Sequence, residues 1–179
     1  MAINDDYFDS HALQAARGAA TTGSDWVETN GGIVSPHRVH VPTGQYYYRF
    51  ASSTTPHEYR RRGCWWIEYE VMTKIARFVR EKDSTPRDAA RYFLALPWSW
   101  TKVDRLVRAQ LVAKVDAYRG EGKPAEGTHP RDAGTRFIPP QHIRELYQLY
   151  IPGLQKADIA ERAFADVSDE DIWNAPIFA

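Results

Sequence analysis

The chain has 179 residues, 43% of them hydrophobic and 13% aromatic, with 23 basic and 23 acidic side chains. That much apolar surface excludes a wholly disordered chain, and the length suits one domain of roughly 100 to 200 residues. A formal charge of +0 excludes a global field that would draw the protein to a polyanion or an anionic membrane.

The single cysteine, Cys64, excludes an internal disulfide and a cysteine-rich zinc site, which fits a reducing compartment. Asp5, Asp6 and Asp9 stand where an export signal would carry basic residues and then an apolar run. No apolar stretch approaches the roughly 20 residues needed to cross a bilayer. The expectation is a cytoplasmic protein with no membrane partner, although injection of a cytosolic product into another cell would leave no mark on the sequence.

Residues 12–32 hold Ala-Ala, Thr-Thr and Gly-Gly pairs, with Trp26 and Val27 the only bulky apolar pair. Residues 1–32 are therefore expected to form a loosely ordered segment ahead of one globular domain over 33–179. Residues 33–41 carry short β-favouring pieces that end at Pro42-Thr43-Gly44, good turn chemistry that predicts a hairpin. The run 45–51 holds Tyr46, Tyr47, Tyr48 and Phe50, which suit a pleated sheet and predict a strand with Arg49 inside it.

Ile67, Val71, Ile75, Phe78 and Val79 recur at helical spacing and predict an amphipathic helix over 67–79. Ser84-Thr85-Pro86 is a cap and first turn for a second, shorter helix that Pro97 ends. Val103, Leu106, Val107, Leu111, Val115 and Tyr118 line one face of a third helix over 100–118, with Gly120 placed to stop it. Residues 121–135 lack apolar periodicity and read as a long exposed loop. Residues 140–153 fit either a helix opened by Pro140 or a short buried strand, with the proline favouring the helix. Ser168 before Asp169 and Glu170 reads as a last helix start. The resulting expectation is an α+β fold: a mainly helical single domain with a small N-terminal antiparallel sheet.

An arginine within an aromatic strand can grip a phosphate through its planar fork of donors, and neighbouring rings can stack on a nicotinamide or a base. Tyr47-Tyr48-Arg49-Phe50-Ala51-Ser52-Ser53, followed by Glu68-Tyr69-Glu70, resembles the bacterial ADP-ribosyltransferase superfamily of toxins and effectors. The resemblance covers little more than residues 47–70. It implies NAD as cofactor, Arg49 as the NAD-contacting arginine, Ser52 or Ser53 as a supporting hydroxyl, and Glu68 and Glu70 as the catalytic pair. Glu145 near Gln148 is a second candidate for the acidic element, on the condition that Leu146 to Ile151 is a strand. Three elements lie closer together than that superfamily has them, and a helix beginning at Glu68 would splay the two glutamates by about 200°.

Gly63-Cys64-Trp65-Trp66 offers a flat wall for a ring ligand, with Trp65 as the candidate contact. Core packing is the plainer reading of the same four residues, as a solvated first turn is for Glu68 and Glu70. Arg60, Arg61 and Arg62 among aromatic residues suit a phosphate but also a solvated surface. His37 and His40 fall on opposite faces of a strand and lack a metal-binding signature, so no metal is expected. The second function class is a non-enzymatic interaction protein of immunity, adaptor or inhibitor type. It would bind a macromolecular partner, protein more than nucleic acid, through an aromatic-rich surface that includes some of Tyr46, Tyr48, Trp98 and Trp100.

Overall fold

A computed structural model describes residues 1–22, 25–28, 30–129, 132–137 and 146–179. In chain order the elements are α1 (Ser10–Ala16), β1 (Ala19–Thr22), β2 (Asp25–Glu28), β3 (His37–Val41), β4 (Tyr46–Ala51), α2 (His57–Arg60) and β5 (Trp65–Glu68). They continue with α3 (Tyr69–Lys82), α4 (Pro86–Leu94), β6 (Arg105–Leu111), β7 (Val115–Glu121), β8 (Gly127–His129), β9 (Asp132–Phe137), β10 (Tyr147–Tyr150), α5 (Ala157–Ala163) and β11 (Phe164–Asp171).

Seven strands form one antiparallel sheet in the order β11-β6-β4-β5-β10-β7-β3. The expectation of a mainly helical domain with a small sheet is thereby corrected. The 100–118 segment, expected as a helix, forms β6 and β7 instead. Its apolar positions satisfy the helical period, but Val107, Ala109 and Leu111, then Val115 and Ala117, also alternate inward at the period of two that a strand requires. Burial in the sheet decides between two patterns that the residues satisfy equally.

Within the 140–153 segment Tyr147–Tyr150 forms a strand, β10, and Ser168 lies within β11 rather than at a helix start. Part of the expected 121–135 loop forms β8 and β9, which pair with each other. The Pro42-Thr43-Gly44 turn is present, yet β3 and β4 do not pair: β3 joins β7, and β4 joins β5 and β6. The strand Tyr46–Ala51 and the helix Pro86–Leu94, whose Thr85 side chain accepts from the Asp88 N–H, form as expected. The first long helix begins at Tyr69, because Ile67 and Glu68 pair with β4.

β5 divides the sheet into two halves. Its Ile67 and Glu68 pair with Tyr48 and Tyr47 of β4, and its Trp65 and Trp66 pair with Tyr150 and Leu149 of β10. Three residues connect β6 to β7, although these strands stand four places apart in the sheet. So short a link spans little more than about 14 Å, so the sheet must fold back on itself. One core forms between the halves, from Tyr47, Val107 and Leu111 on one side and Val41, Val115, Ala117 and Leu149 on the other. A second core packs Tyr48, Phe50 and Leu106 against α3 and α4, through Met72, Ile75, Ala90 and Phe93.

The start of the chain is anchored to this body. Buried Asn4 donates to the carbonyls of Asp116 and Pro152 at 2.9 and 3.0 Å and accepts from the Asp116 N–H at 3.0 Å. No helix among the described residues is long and apolar enough to cross a membrane.

Candidate functional site

The parting of β4 from β5 creates the site. These strands pair only at Tyr47 and Tyr48, so Arg49, Phe50 and Ala51 continue along β6 with β5 no longer beside them. Alternation puts Arg49 on the same face as Tyr47 and Ala51, towards the core between the halves. Its guanidinium lies 5.8 Å from the Trp66 ring centroid and fills the space over Gly63, where a Cβ would fall 1.1 Å from Nη1.

Nε and Nη1 of Arg49 are buried with no hydrogen-bond partner among the described residues. Burial lowers its pKa to about 10, with the neighbouring Cys64 opposing that shift, and the group stays charged at neutral pH. A buried charge without a partner costs several kcal/mol in a folded chain, at an order-of-magnitude level. Such a group is expected where a ligand completes the pairing.

Arg49 lines a cleft of about 630 Å³. Ser52, Arg60, Trp65, Trp66 and Gln148 line it from the sheet and the α2 loop, Asn30 to Gly32 from the N-terminal segment, and Leu96 and Trp98 to Lys102 from the loop after α4. Lys123 completes a set of four cationic side chains with Arg49, Arg60 and Lys102. No aspartate or glutamate is among the described lining residues. A volume in the range of about 300 to 1,000 Å³, with aromatic walls and a few convergent polar groups, suits a small organic ligand. The charge balance of this lining favours an anionic ligand over a cationic one.

Not all of these cations are uncommitted. Arg60 donates to Asp169 at 2.6 Å and to the carbonyls of Thr55 and Ser53 at 2.8 and 3.2 Å. Asp169 also accepts from Arg105 at 2.8 Å, so one buried carboxylate holds both arginines and ties β11 to the α2 loop. Arg60 is thus a fixed positive wall, whereas Arg49 keeps free donors.

The candidate residues separate accordingly. Arg49, Ser52 and Trp65 meet at the cleft. The Ser52 hydroxyl shares a 2.7 Å hydrogen bond with Thr54, and Trp65 meets Tyr150 edge to face at 5.1 Å. Ser53 turns away, its backbone N–H and hydroxyl both donating to Asp104 at 2.6 Å. Burial opposes ionisation of Asp104, but these hydrogen bonds outweigh it and its pKa is lowered. Glu68 accepts from Nε and Nη2 of Arg119 at 3.0 and 2.9 Å, and Arg119 stacks over Tyr147 at 4.1 Å. Glu70 sits exposed in the first turn of α3. Neither glutamate lines the cleft. Glu145 lies outside the described residues.

Cys64 donates to Gln155 at 3.0 Å, and burial raises its pKa, the behaviour of a packed and unreactive thiol. Among the described residues no group of three or more His, Cys, Asp or Glu is placed to hold a metal ion. Of Arg60, Arg61 and Arg62, only the first reaches the cleft; Arg61 and Arg62 lie 3.3 and 3.9 Å from Glu161.

Sequence reasoning did not place Lys102, Lys123, Gln148 or the Asn30-Gly31-Gly32 segment at the site. The one available signal was the Pro97-Trp98-Ser99-Trp100 tract, whose two tryptophans lie outside the apolar faces of the expected helices. Compared with protein families, curated proteins and solved structures, the chain shows no match to any family, protein or structure.

Proposed function

We propose that the protein binds NAD in the Arg49 cleft and belongs to the ADP-ribosyltransferase-like kind of protein. The observation that carries this reading is the buried Arg49, whose Nε and Nη1 have no partner among the described residues, lining a cleft with cationic and aromatic walls. A diphosphate is the ligand group whose charge and planar oxygen pairs best suit that fork. Trp65, which lines the same cleft, offers a ring face or edge to one of the dinucleotide's two rings. NAD, when bound, supplies an activated ribosyl group whose bond to nicotinamide is broken in transfer. The chain's own contribution is to hold the diphosphate at Arg49, keep Arg60 fixed through Asp169, and exclude water with the tryptophans.

Transfer to a macromolecular target calls for a carboxylate near the breaking bond, and none is among the described lining residues. That observation favours a second reading, in which the protein binds the nucleotide without chemistry. Calorimetric titration with NAD, followed by an assay for nicotinamide release, separates the readings. Binding with release supports the transferase, and binding without release supports the nucleotide-binding protein. Absence of binding removes both and leaves an interaction protein that uses the exposed Trp98 and Trp100.

A further inference from the structure

One wall of the cleft is the loop between α4 and β6. Arg91 of α4 is 5% exposed and donates to three carbonyls of that loop: Leu96 at 3.0 Å, Thr101 at 2.7 Å and Lys102 at 3.1 Å. The same guanidinium lies 4.1 Å from the centroid of the Trp98 ring. Both ends of the loop are left-handed at residues other than glycine, Ala95 at φ 51° and Val103 at φ 52°. A β-branched residue in that region is strained and persists only where its surroundings fix it. Here Arg91 fixes the loop from within, and Arg87 adds a hydrogen bond to the Val103 carbonyl at 3.3 Å.

The device holds two large rings partly in solvent. Trp98 is 42% exposed and Trp100 49% exposed, and both line the cleft. Trp100 is braced by Gly31, where a Cβ would lie 3.0 Å from its Cη2 atom. Trp98 has the Arg91 guanidinium over one face, yet it is 42% exposed and lines the cleft. A cation behind an aromatic ring is retained because the ring's negative face attracts it.

We propose that Trp98 is a stacking shelf for a second ring, which makes the cleft selective for ligands that carry a planar ring on each side of a diphosphate. Arg91 is its positioning residue. This inference rests on the reading of the cleft as a nucleotide site and adds the location of the second ring. The anion is gripped at Arg49, one ring lies at Trp65, and the other lies on Trp98.

The test uses the native protein, Trp98→Leu and Trp98→Phe, titrated by calorimetry with NAD, ADP and inorganic pyrophosphate. Loss of one base–aromatic stack weakens binding by about tenfold or more. The expected result is that Trp98→Leu lowers NAD affinity by about that factor, Trp98→Phe restores most of it, and pyrophosphate affinity is the same in all three. The native protein should also bind NAD at least about tenfold more tightly than the one-ring ligand ADP, a comparison that holds even if Trp98→Leu folds poorly. Equal affinity for NAD and ADP, or a Trp98→Leu protein that loses NAD and pyrophosphate alike, overturns the shelf. Native protein that binds pyrophosphate but not NAD overturns the shelf and leaves the anion site standing. Native protein that binds neither overturns the nucleotide reading, and the shelf with it.

Discussion

Arg49 occupies the volume that any side chain on residue 63 would need: a Cβ on Gly63 would lie 1.1 Å from Nη1 and 1.9 Å from Cζ of the arginine. The backbone of Gly63 does not require glycine, because its φ is not positive. The requirement comes from the guanidinium beside it. Gly63→Ala is therefore expected to push Arg49 out of place, cost about 1 to 3 kcal/mol by overpacking, and weaken anion binding. Adding Arg49→Ala should recover most of the lost stability, a strong coupling in a double-mutant cycle read from denaturant melts. Additive losses would mean that the two residues do not share this space.

Arg91 should matter to the loop more than to the helix that carries it. Arg91→Lys keeps a charge but cannot reach three carbonyls at once, and it leaves part-buried acceptors without donors. The expected cost is about 2 kcal/mol, or a fall of about 4 to 8 °C in melting temperature for a chain of this size. Protease cleavage between Ala95 and Val103 should become faster in that variant while α3 and α4 stay protected. Uniform loss of protection would indicate that Arg91 supports the whole fold.

Buried Asp116 links the chain's start to the edge of the sheet, accepting from Arg38 Nε at 2.7 Å and pairing with His40, while Arg38 also pairs with Asp5. Burial opposes its ionisation, but the hydrogen bonds from His40 and Arg38 prevail and hold its pKa below the ordinary 3.8. The unfolded chain therefore takes up this proton before the folded chain does, and stability rises with pH across that window. Its contribution is complete above 3.8 and is lost as the pH falls through the lower folded value. Urea midpoints of the native protein should fall through this acid range more steeply than those of Asp116→Asn. Parallel slopes would remove Asp116 from the account of acid sensitivity.

Much of the helical α3–α4 region and the strand around Arg49 could be read in the sequence, because their signals are local. Thr85 and Pro86 specify the start of α4 on their own, and the tyrosines beside Arg49 suit only a sheet. The segment from Val103 to Tyr118 was misleading for a physical reason. Its link, Val112-Ala113-Lys114, contains neither glycine nor proline, and the buried small residues Ala109 and Ala117 carry the strand period without adding bulk to it. The site was half legible. Arg49 stood out as the charged residue in an aromatic strand, but Glu68 and Ser53 are drawn away by Arg119 and Asp104, more than 50 positions on. Such long-range partners leave no local signature.

The most direct test of the central claim is to replace Arg49 with an apolar side chain of similar length and to follow stability and binding together. A buried guanidinium with unpartnered donors is a burden to the fold, and replacement of buried charge by well-packed apolar groups is often neutral or stabilising by about 1 to 4 kcal/mol. Arg49→Met is expected to melt at or above the native temperature and to bind neither NAD nor pyrophosphate. A variant that melts well below the native protein, or one that binds NAD as the native protein does, would contradict it.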